Sequence, residues 1–213
     1  MDPIKEALTF DDVTLAPNYS EILPSEVKTE VKLSKHLNIS IPLLTSAMDT
    51  VTESNMAISI GKKGGIGVIH RNLSINDQIK EIRKVRAKKM LVGAAVGASL
   101  NEHIRAQKIL KENIDLIVVD TAHGHTKKVA EIIKKIKKIK PTKTALCAGN
   151  IATAEAAKFL IKQGVDIIKV GIGPGSICTT RLVAGIGVPQ LSAILDCLLY
   201  TSDAADEGLG VDL

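Results

Sequence analysis

The sequence contains no tryptophan, and aromatic residues make up only 2% of its 213 positions. Its core must therefore be built from isoleucine, valine, leucine and alanine, a composition that suits parallel strands buried on both faces. Hydrophobic residues still form 45% of the chain, which is enough for one folded domain with a substantial core.

Cysteines are also few, and long apolar runs are missing. The three cysteines are widely spaced, and an odd number at such spacing does not form a disulfide framework. No apolar run is long enough to cross a bilayer, and the charged start MDPIKE lacks the apolar segment of a signal peptide. These absences predict a protein of the reducing cytoplasm without a membrane partner.

The charge balance is basic, with a net charge of +5. Many of the basic residues lie in the segment KKVAEIIKKIKKIK, residues 127–140. Its apolar positions fall on one helical stripe, so the lysines form the outer face of an ordinary amphipathic helix. No aromatic residues are interleaved with them to stack on bases, and we predict no nucleic-acid partner.

Short apolar runs alternate with helical patterns, which predicts right-handed βαβ units and a parallel sheet. The predicted strands are 43–47, 65–69, 91–96, 116–120, 144–148 and 167–170, and the predicted helices are 49–61, 75–85, 100–112, 127–140 and 153–163. An open doubly wound sheet and a (β/α)8 barrel both fit this alternation.

Polar residues at strand ends favour the barrel over the open sheet. Those at or just past a predicted strand end are Ser46, Asp49, His70, Asp120, His123, Asn150 and Cys178. A barrel gathers such positions on one face, where its active site lies. The glycine fingerprint of an open dinucleotide-binding sheet does not follow the first strand. We therefore predict an α/β fold, a (β/α)8 TIM barrel with about six of its eight strands present.

The segment GPGSICTTR, residues 173–181, follows the last predicted strand and places a cysteine in a glycine-rich loop. Glycines allow close backbone approach to a ligand, and the N–H groups of such a loop can cradle an anion. A thiol beside them can act as a nucleophile when its thiolate is stabilised. The loop predicts covalent chemistry on a phosphorylated small molecule.

The longer string KVGIGPGSICTTRLVAGIGVPQ, residues 169–190, resembles the active-site loop shared by inosine 5′-monophosphate (IMP) dehydrogenases and guanosine monophosphate (GMP) reductases. The resemblance runs from about Ala7 to about Asp196 and agrees with a barrel. It implies NAD-dependent oxidation of IMP to xanthosine 5′-monophosphate through a cysteine thioimidate, in guanine nucleotide synthesis by a homotetramer.

Site residues follow from the same resemblance. Cys178 matches the nucleophile, Thr180 a threonine near the hydrolytic water, and Ser176 a residue that holds the IMP phosphate. Ser46 and Asn150 match residues that line the IMP pocket. The backbone carbonyls of Gly173, Gly175 and Cys178 match ligands of a monovalent cation, taken to be potassium. Cofactor contacts to NAD are implied for Asp120, Thr121, His123, Gly171, Ile172 and Gly173.

A second segment, VVDTAHGH at residues 118–125, distinguishes the two sister enzymes. Asp120 lies at a strand end, where the resemblance has it accept hydrogen bonds from the nicotinamide-side ribose; a structural carboxylate is the alternative. His123 and His125 without a third partner do not predict a zinc site. GMP reductases typically have asparagine-glycine where this chain has His123-Gly124, so the dehydrogenase is favoured, with the NADPH-dependent reductase as the alternative.

Two departures from the family pattern bear on activity. A regulatory module of paired cystathionine-β-synthase motifs usually interrupts the family's barrel, and here residues 86–90 run straight into the next strand. The match then stops near Asp196, and residues 197–213 carry four acids and no base. We predict a partial catalytic barrel over 1–196 and a non-native tail over 197–213. The chain itself is expected to be poorly soluble and inactive, at most a nucleotide-binding fragment.

Overall fold

The computed structural model describes residues 6–99, 101–176, 178 and 180–206, with side chains up to residue 198. Its strands are β1 (Val31–Ser34), β2 (Leu37–Ile39), β3 (Leu44–Thr45), β4 (Ile66–Ile69), β5 (Val92–Val96), β6 (Leu116–Asp120), β7 (Ala145–Ile151) and β8 (Ile167–Val170). Its helices are α1 (Ser54–Lys62), α2 (Ile75–Ala87), α3 (Glu102–Ile109), α4 (Lys127–Ile139), α5 (Ala154–Gln163), α6 (Thr180–Ala184) and α7 (Gln190–Asp206).

Strands β3 to β8 form one six-stranded parallel sheet in sequential order. The sheet curls into a half-barrel, so the predicted α/β fold, an incomplete TIM barrel, is confirmed. Helices begin where the sequence supplies side-chain caps: the hydroxyls of Ser74, Thr126 and Thr153 each accept a backbone N–H from the first turn of α2, α4 and α5. Because strands β3 to β8 are all parallel, they end at the same rim of the half-barrel.

Alternation along the strands sorts apolar side chains into an inner and an outer core. Ile117 and Leu146 face outward and pack with the buried stripe of α4, including Ile133. Val118 and Cys147 face the inside of the half-barrel. That inner core is closed below by the antiparallel β1–β2 hairpin, whose Leu37 and Ile39 are each 2% exposed. The opposite rim, where the strands end, is left for polar side chains.

Aspartates just before two strands fix the other rim. Asp115 precedes β6 and accepts the Val92 N–H of β5 at 2.9 Å, and it also pairs with Arg86 of α2 at 2.9 Å. Asp166 precedes β8 and accepts the Leu146 N–H of β7 at 2.7 Å. A carboxylate that receives a backbone N–H from the neighbouring strand satisfies a donor at the sheet's end and helps to set the register.

The structure differs from the sequence prediction mainly outside the βα repeats. The β1–β2 hairpin and helices α6 and α7 were not predicted, and α1 begins at Ser54 rather than at position 49. Helix α7 continues unbroken from Gln190 to Asp206, and Cys197, where the predicted tail begins, is only 5% exposed. Residues 207–213 of that tail lie outside the described residues, and its non-native origin stays a prediction. None of the described helices is long and apolar enough to span a membrane.

Candidate active site

A cleft of about 420 Å³ opens at the rim where the strands end. We call it the thiol cleft, and its lining residues are Met48, Arg71, Asp120, Thr121, Ala122, Asn150, Lys169, Gly171, Ile172, Gly173, Cys178 and Thr180. A second cleft of about 310 Å³ shares Met48, Arg71 and Asp120 with it and adds Ala47, Asp49 and Asn72. The two cavities together form a trough across the rim, the location of active sites in barrels.

The Cys178 thiol is partly buried in this cleft, and its surroundings stabilise the thiolate. Its pKa is lowered, first by a hydrogen bond from the Thr180 hydroxyl, then by the Thr180 backbone N–H. The positive charge of Arg181 and the Gly173 N–H lower it further, whereas partial desolvation opposes them. Because the thiolate is the nucleophilic form, these groups prepare Cys178 for attack.

The loop that carries Cys178 is held by helix α7 and by neighbouring backbone. Gln190, the first residue of α7, donates its side-chain N–H to the Val170 carbonyl at 3.1 Å. Gly171 has φ +133°, and a Cβ there would approach the Gln190 Oε1 to 2.6 Å. Gly173 has φ +70° and lies against Ile186 and Arg181. Glycine is required at both positions, because a side chain would meet both backbone strain and a close neighbour.

Asp120, at the end of β6, is paired with Lys169 of β8. The Lys169 Nζ lies 2.8 Å from the Asp120 Oδ1, and the two side chains are 37% and 25% exposed. Thr121 follows Asp120, and both its N–H and its hydroxyl donate to the Gly149 carbonyl, at 3.0 and 2.8 Å. The end of β6 is thus tied to β7 and, through the ion pair, to β8.

Asn150 joins the ends of β7 and β8 at the floor of the thiol cleft. Its side-chain N–H donates to the Gly171 carbonyl at 2.8 Å, and its backbone carbonyl accepts the Gly124 N–H at 2.7 Å. The peptide bond between Gly149 and Asn150 is cis. The hydrogen bond to Gly171 holds the Asn150 side-chain amide beside the loop that carries the thiol, with its carbonyl oxygen available to a ligand.

The structure brings most of the predicted site residues together. Those that line the thiol cleft are Asp120, Thr121, Asn150, Gly171, Ile172, Gly173, Cys178 and Thr180. Ser46, His123, Gly175 and Ser176 do not line it, and Ser46, His123 and Ser176 are exposed. The His123 ring instead meets the His125 ring edge-on, with centroids 6.4 Å apart. The Gly175 carbonyl accepts the Cys178 N–H at 3.1 Å, so that oxygen is partly used within the loop.

Four lining residues were absent from the sequence-based site: Met48, Arg71, Ala122 and Lys169. Arg71 stands at the junction of the two clefts, and its guanidinium lies against Gly97. Its position next to His70, past the end of β4, was the available signal. Lys169 is the single charged residue within the half-buried β8 segment IIKV, and a lone charge in an otherwise apolar strand marks a side chain with a specific partner.

Selective alkylation should distinguish Cys178 from the other two cysteines. Burial raises the pKa of Cys147 to about 12 and that of Cys197 to about 11, whereas the pKa of Cys178 is lowered. At neutral pH Cys178 thus has the largest thiolate fraction and the best access. With iodoacetamide on the folded chain, we expect Cys178 to be labelled at least ~10-fold faster, measured by peptide mass spectrometry. Equal labelling in the folded protein would contradict this picture, and urea-unfolded chain is the control.

The comparisons with known proteins agree with this geometry. A family model described as the IMP dehydrogenase / GMP reductase domain matches residues 7–209. The chain is 45% identical to an inosine-5′-monophosphate dehydrogenase of Borreliella burgdorferi over 242 aligned positions, covering 90% of this chain and 60% of that protein. An enzyme of the same name from Cryptosporidium parvum is 41% identical, with 91% and 58% covered.

A third relative, the inosine-5′-monophosphate dehydrogenase of Staphylococcus saprophyticus, is 33% identical over 320 positions, covering 91% of this chain and 65% of that protein. Many of those positions have no counterpart here, since the chain has 213 residues. The chain spans about 60% of the length of these relatives. The family match nevertheless covers nearly all of it, including the strand ends and the loop that form the thiol cleft. The chain belongs to the IMP dehydrogenase / GMP reductase family.

Proposed function

We propose that the chain carries the nucleophile and part of the cofactor site of an NAD-dependent IMP dehydrogenase, which converts IMP to xanthosine 5′-monophosphate in guanine nucleotide synthesis. The observation that carries the proposal is the activated Cys178 thiol in a cleft shared with Asp120 and Asn150. A cytoplasmic location and a homotetramer of the complete enzyme belong to the same proposal, and both rest on the family resemblance alone.

Cys178 begins the proposed reaction as a thiolate. Its Sγ adds to C2 of the purine and forms a C–S bond. The Asn150 side-chain amide hydrogen-bonds to the base, and the exposed Ser176 binds the phosphate. NAD, when bound, supplies the acceptor for the hydride that C2 must lose. Water adds to C2 of the resulting thioimidate and loses a proton to solvent, the C–S bond breaks, and the thiolate is released with xanthosine monophosphate. Within the proposal, Thr180, which contacts the thiol, orients that water.

The residues present fit a nicotinamide cofactor. The trough formed by the two clefts lies in the size range of small-molecule sites, and Asp120 stands where they join. A carboxylate has about four lone-pair sites, and Lys169 uses one, which leaves capacity for the hydroxyls of a ribose. Within our proposal Asp120, Thr121, Gly171, Ile172 and Gly173 hold the cofactor, and the exposed His123 contacts its distal part.

The loop also fits a potassium ion in its donor chemistry. Backbone carbonyl oxygens suit an alkali cation, and Gly173, Gly175 and Cys178 would supply them. The described residues contain no group of three or more His, Cys, Asp or Glu side chains that could hold a metal. Within our proposal, the cation would hold the loop that carries Cys178.

Substrate pairs separate this function from its two alternatives. We expect the enzyme to produce NADH from IMP and NAD, and not to consume NADPH with GMP, as followed by absorbance. NADPH consumption with GMP would identify a GMP reductase, a candidate because the matched family includes both enzymes. The other candidate is an inactive nucleotide-binding fragment. Such a fragment would bind IMP without turnover. If a protein extended to the relatives' length then oxidised IMP, the dehydrogenase would again be the supported function.

A further inference from the structure

Asp120 and Lys169 belong to one layer of the inner face of the half-barrel. In the strand register Asp120 of β6 lies opposite Gly149 of β7, and Gly149 lies opposite Lys169 of β8. The layer below holds Val118, Cys147 and Ile167 and is apolar. The ion pair therefore lies across the full width of β7, between the apolar inner core and the thiol cleft.

Glycine at position 149 makes that crossing possible. A Cβ on Gly149 would overlap the Lys169 carbonyl oxygen and would approach the Lys169 Cβ to 2.7 Å. With no side chain in between, the Lys169 stem passes over β7 and places its ammonium 2.8 Å from the Asp120 carboxylate. Both charges also act on the Cys147 thiol beneath them: Lys169 lowers its pKa and Asp120 raises it, while burial dominates.

We infer that Lys169 is a positioning residue for the cofactor end of the site, holding the Asp120 carboxylate in the orientation in which it accepts a ligand hydroxyl. The inference rests on the proposed function, in which Asp120 binds the ribose of a nicotinamide cofactor. Lys169 acts through Asp120 by occupying Oδ1, which fixes the plane of the carboxylate and leaves Oδ2 to the ligand. It also compensates a negative charge that borders an apolar core.

Charge in the trough gives a second reason for the pairing. A dinucleotide brings a negatively charged pyrophosphate, and an uncompensated Asp120 would repel it across the cleft. Paired with Lys169, the aspartate presents acceptor oxygens while the pair as a whole is neutral. Arg71, which like Asp120 lines both clefts, then adds a positive charge to the same trough. The trough so charged suits an anionic ligand that also carries hydroxyls.

A double-mutant cycle on cofactor affinity tests the inference without any measurement of turnover. NAD and, separately, IMP are titrated calorimetrically into the chain and into Lys169→Met, Asp120→Asn and the double variant. We expect Lys169→Met to weaken NAD binding about tenfold and to change IMP binding less than about twofold. In the Asp120→Asn background, adding Lys169→Met should weaken NAD binding by less than about a further twofold. The Asp120 carboxylate through which Lys169 acts is already absent there.

Two more variants complete the design. Lys169→Arg keeps the charge and the reach and should restore most of the NAD affinity. Lys140→Met is the matched control: Lys140 pairs with Asp166 at 3.7 Å at the opposite end of β8, and its loss should leave NAD binding unchanged. Circular dichroism verifies the fold of every variant, and Lys169→Gln replaces Lys169→Met if the latter does not fold.

Each outcome decides the inference. Additive losses of NAD affinity in the cycle would mean that Lys169 contacts the ligand directly. Unchanged NAD affinity in Lys169→Met would mean that Lys169 does not orient the Asp120 carboxylate. Either result overturns the inference and leaves the proposed function intact. If the chain binds IMP but not NAD, the inference is overturned and IMP remains the proposed substrate. A chain that binds neither ligand overturns the proposed function together with it.

Discussion

Replacement of Cys178 by alanine should lower NADH formation from IMP and NAD by roughly 10⁴-fold or more, while IMP binding stays within about twofold. The thiolate forms the bond to C2 in the proposed reaction, and none of the other described residues that line the thiol cleft carries a thiol. Its contribution to binding is small, because the phosphate and the base are held by other groups. Turnover is followed by absorbance and binding by calorimetry, in the enzyme completed to the length of its relatives.

Cys147→Ala is the matched control for that experiment. Cys147 lies one layer below the cleft, is only 6% exposed, and has a pKa raised by burial, so its removal should leave NADH formation close to that of the unaltered enzyme. If Cys178→Ala retained activity, or if Cys147→Ala lost it with an intact fold, the nucleophile would be misassigned. Loss of IMP binding in Cys178→Ala would instead indicate that the loop had collapsed.

Replacement of Gly149 by alanine should destabilise the protein by about 3 kcal/mol and abolish NAD binding. The new methyl would overlap the Lys169 backbone carbonyl, which cannot rotate away as a side chain would. Strands β7 and β8 must separate or shift, and the crossing of Lys169 to Asp120 is lost in either case. Urea unfolding measures the free energy of unfolding, and calorimetry measures NAD binding in the fraction that folds.

Gly93→Ala, in strand β5 of the same sheet, is the control for this change. A Cβ there would meet only side-chain atoms, the Val68 Cγ2 at 3.1 Å and the Leu116 Cβ at 3.4 Å. Those side chains can shift by a few tenths of an ångström, so the loss should stay below about 1 kcal/mol. Equal losses in the two variants would show that any added methyl in the sheet is costly, and would remove the special role of position 149.

The repeating part of the fold could be predicted from the sequence, because each βα unit contains its own signals. Strand β6 is an apolar run, and α4 combines an apolar stripe with a Thr126 cap. The β1–β2 hairpin has no such signal: its strands have four and three residues, and lysine and asparagine interrupt them. Its stability comes from Leu37 and Ile39 closing the inner core, a contact distant in sequence that local patterning does not contain.

The candidate site divides in the same way. Residues at strand ends and in the glycine loop were predictable, because parallel strands bring their ends to one rim. The partnership of Asp120 with Lys169 was not, because it depends on the register of three strands and on a missing side chain between them. Ser46 and Ser176 lie close in sequence to residues that line the two clefts, but whether an exposed side chain turns into the cleft depends on loop conformation rather than on spacing.

The contact between Leu8 and Ser192 links the two ends of the described chain and forms late in synthesis. The Leu8 N–H donates to the Ser192 Oγ at 2.8 Å, and the Ser192 N–H donates to the Leu8 carbonyl at 3.2 Å, between positions 184 apart in the chain. The ribosome synthesises the chain from its amino end, so these two hydrogen bonds form only after helix α7 has emerged. The same helix brings Gln190 to the Val170 carbonyl beneath the thiol loop. During synthesis, the loop that carries the reactive cysteine therefore stays unanchored until helix α7 has emerged.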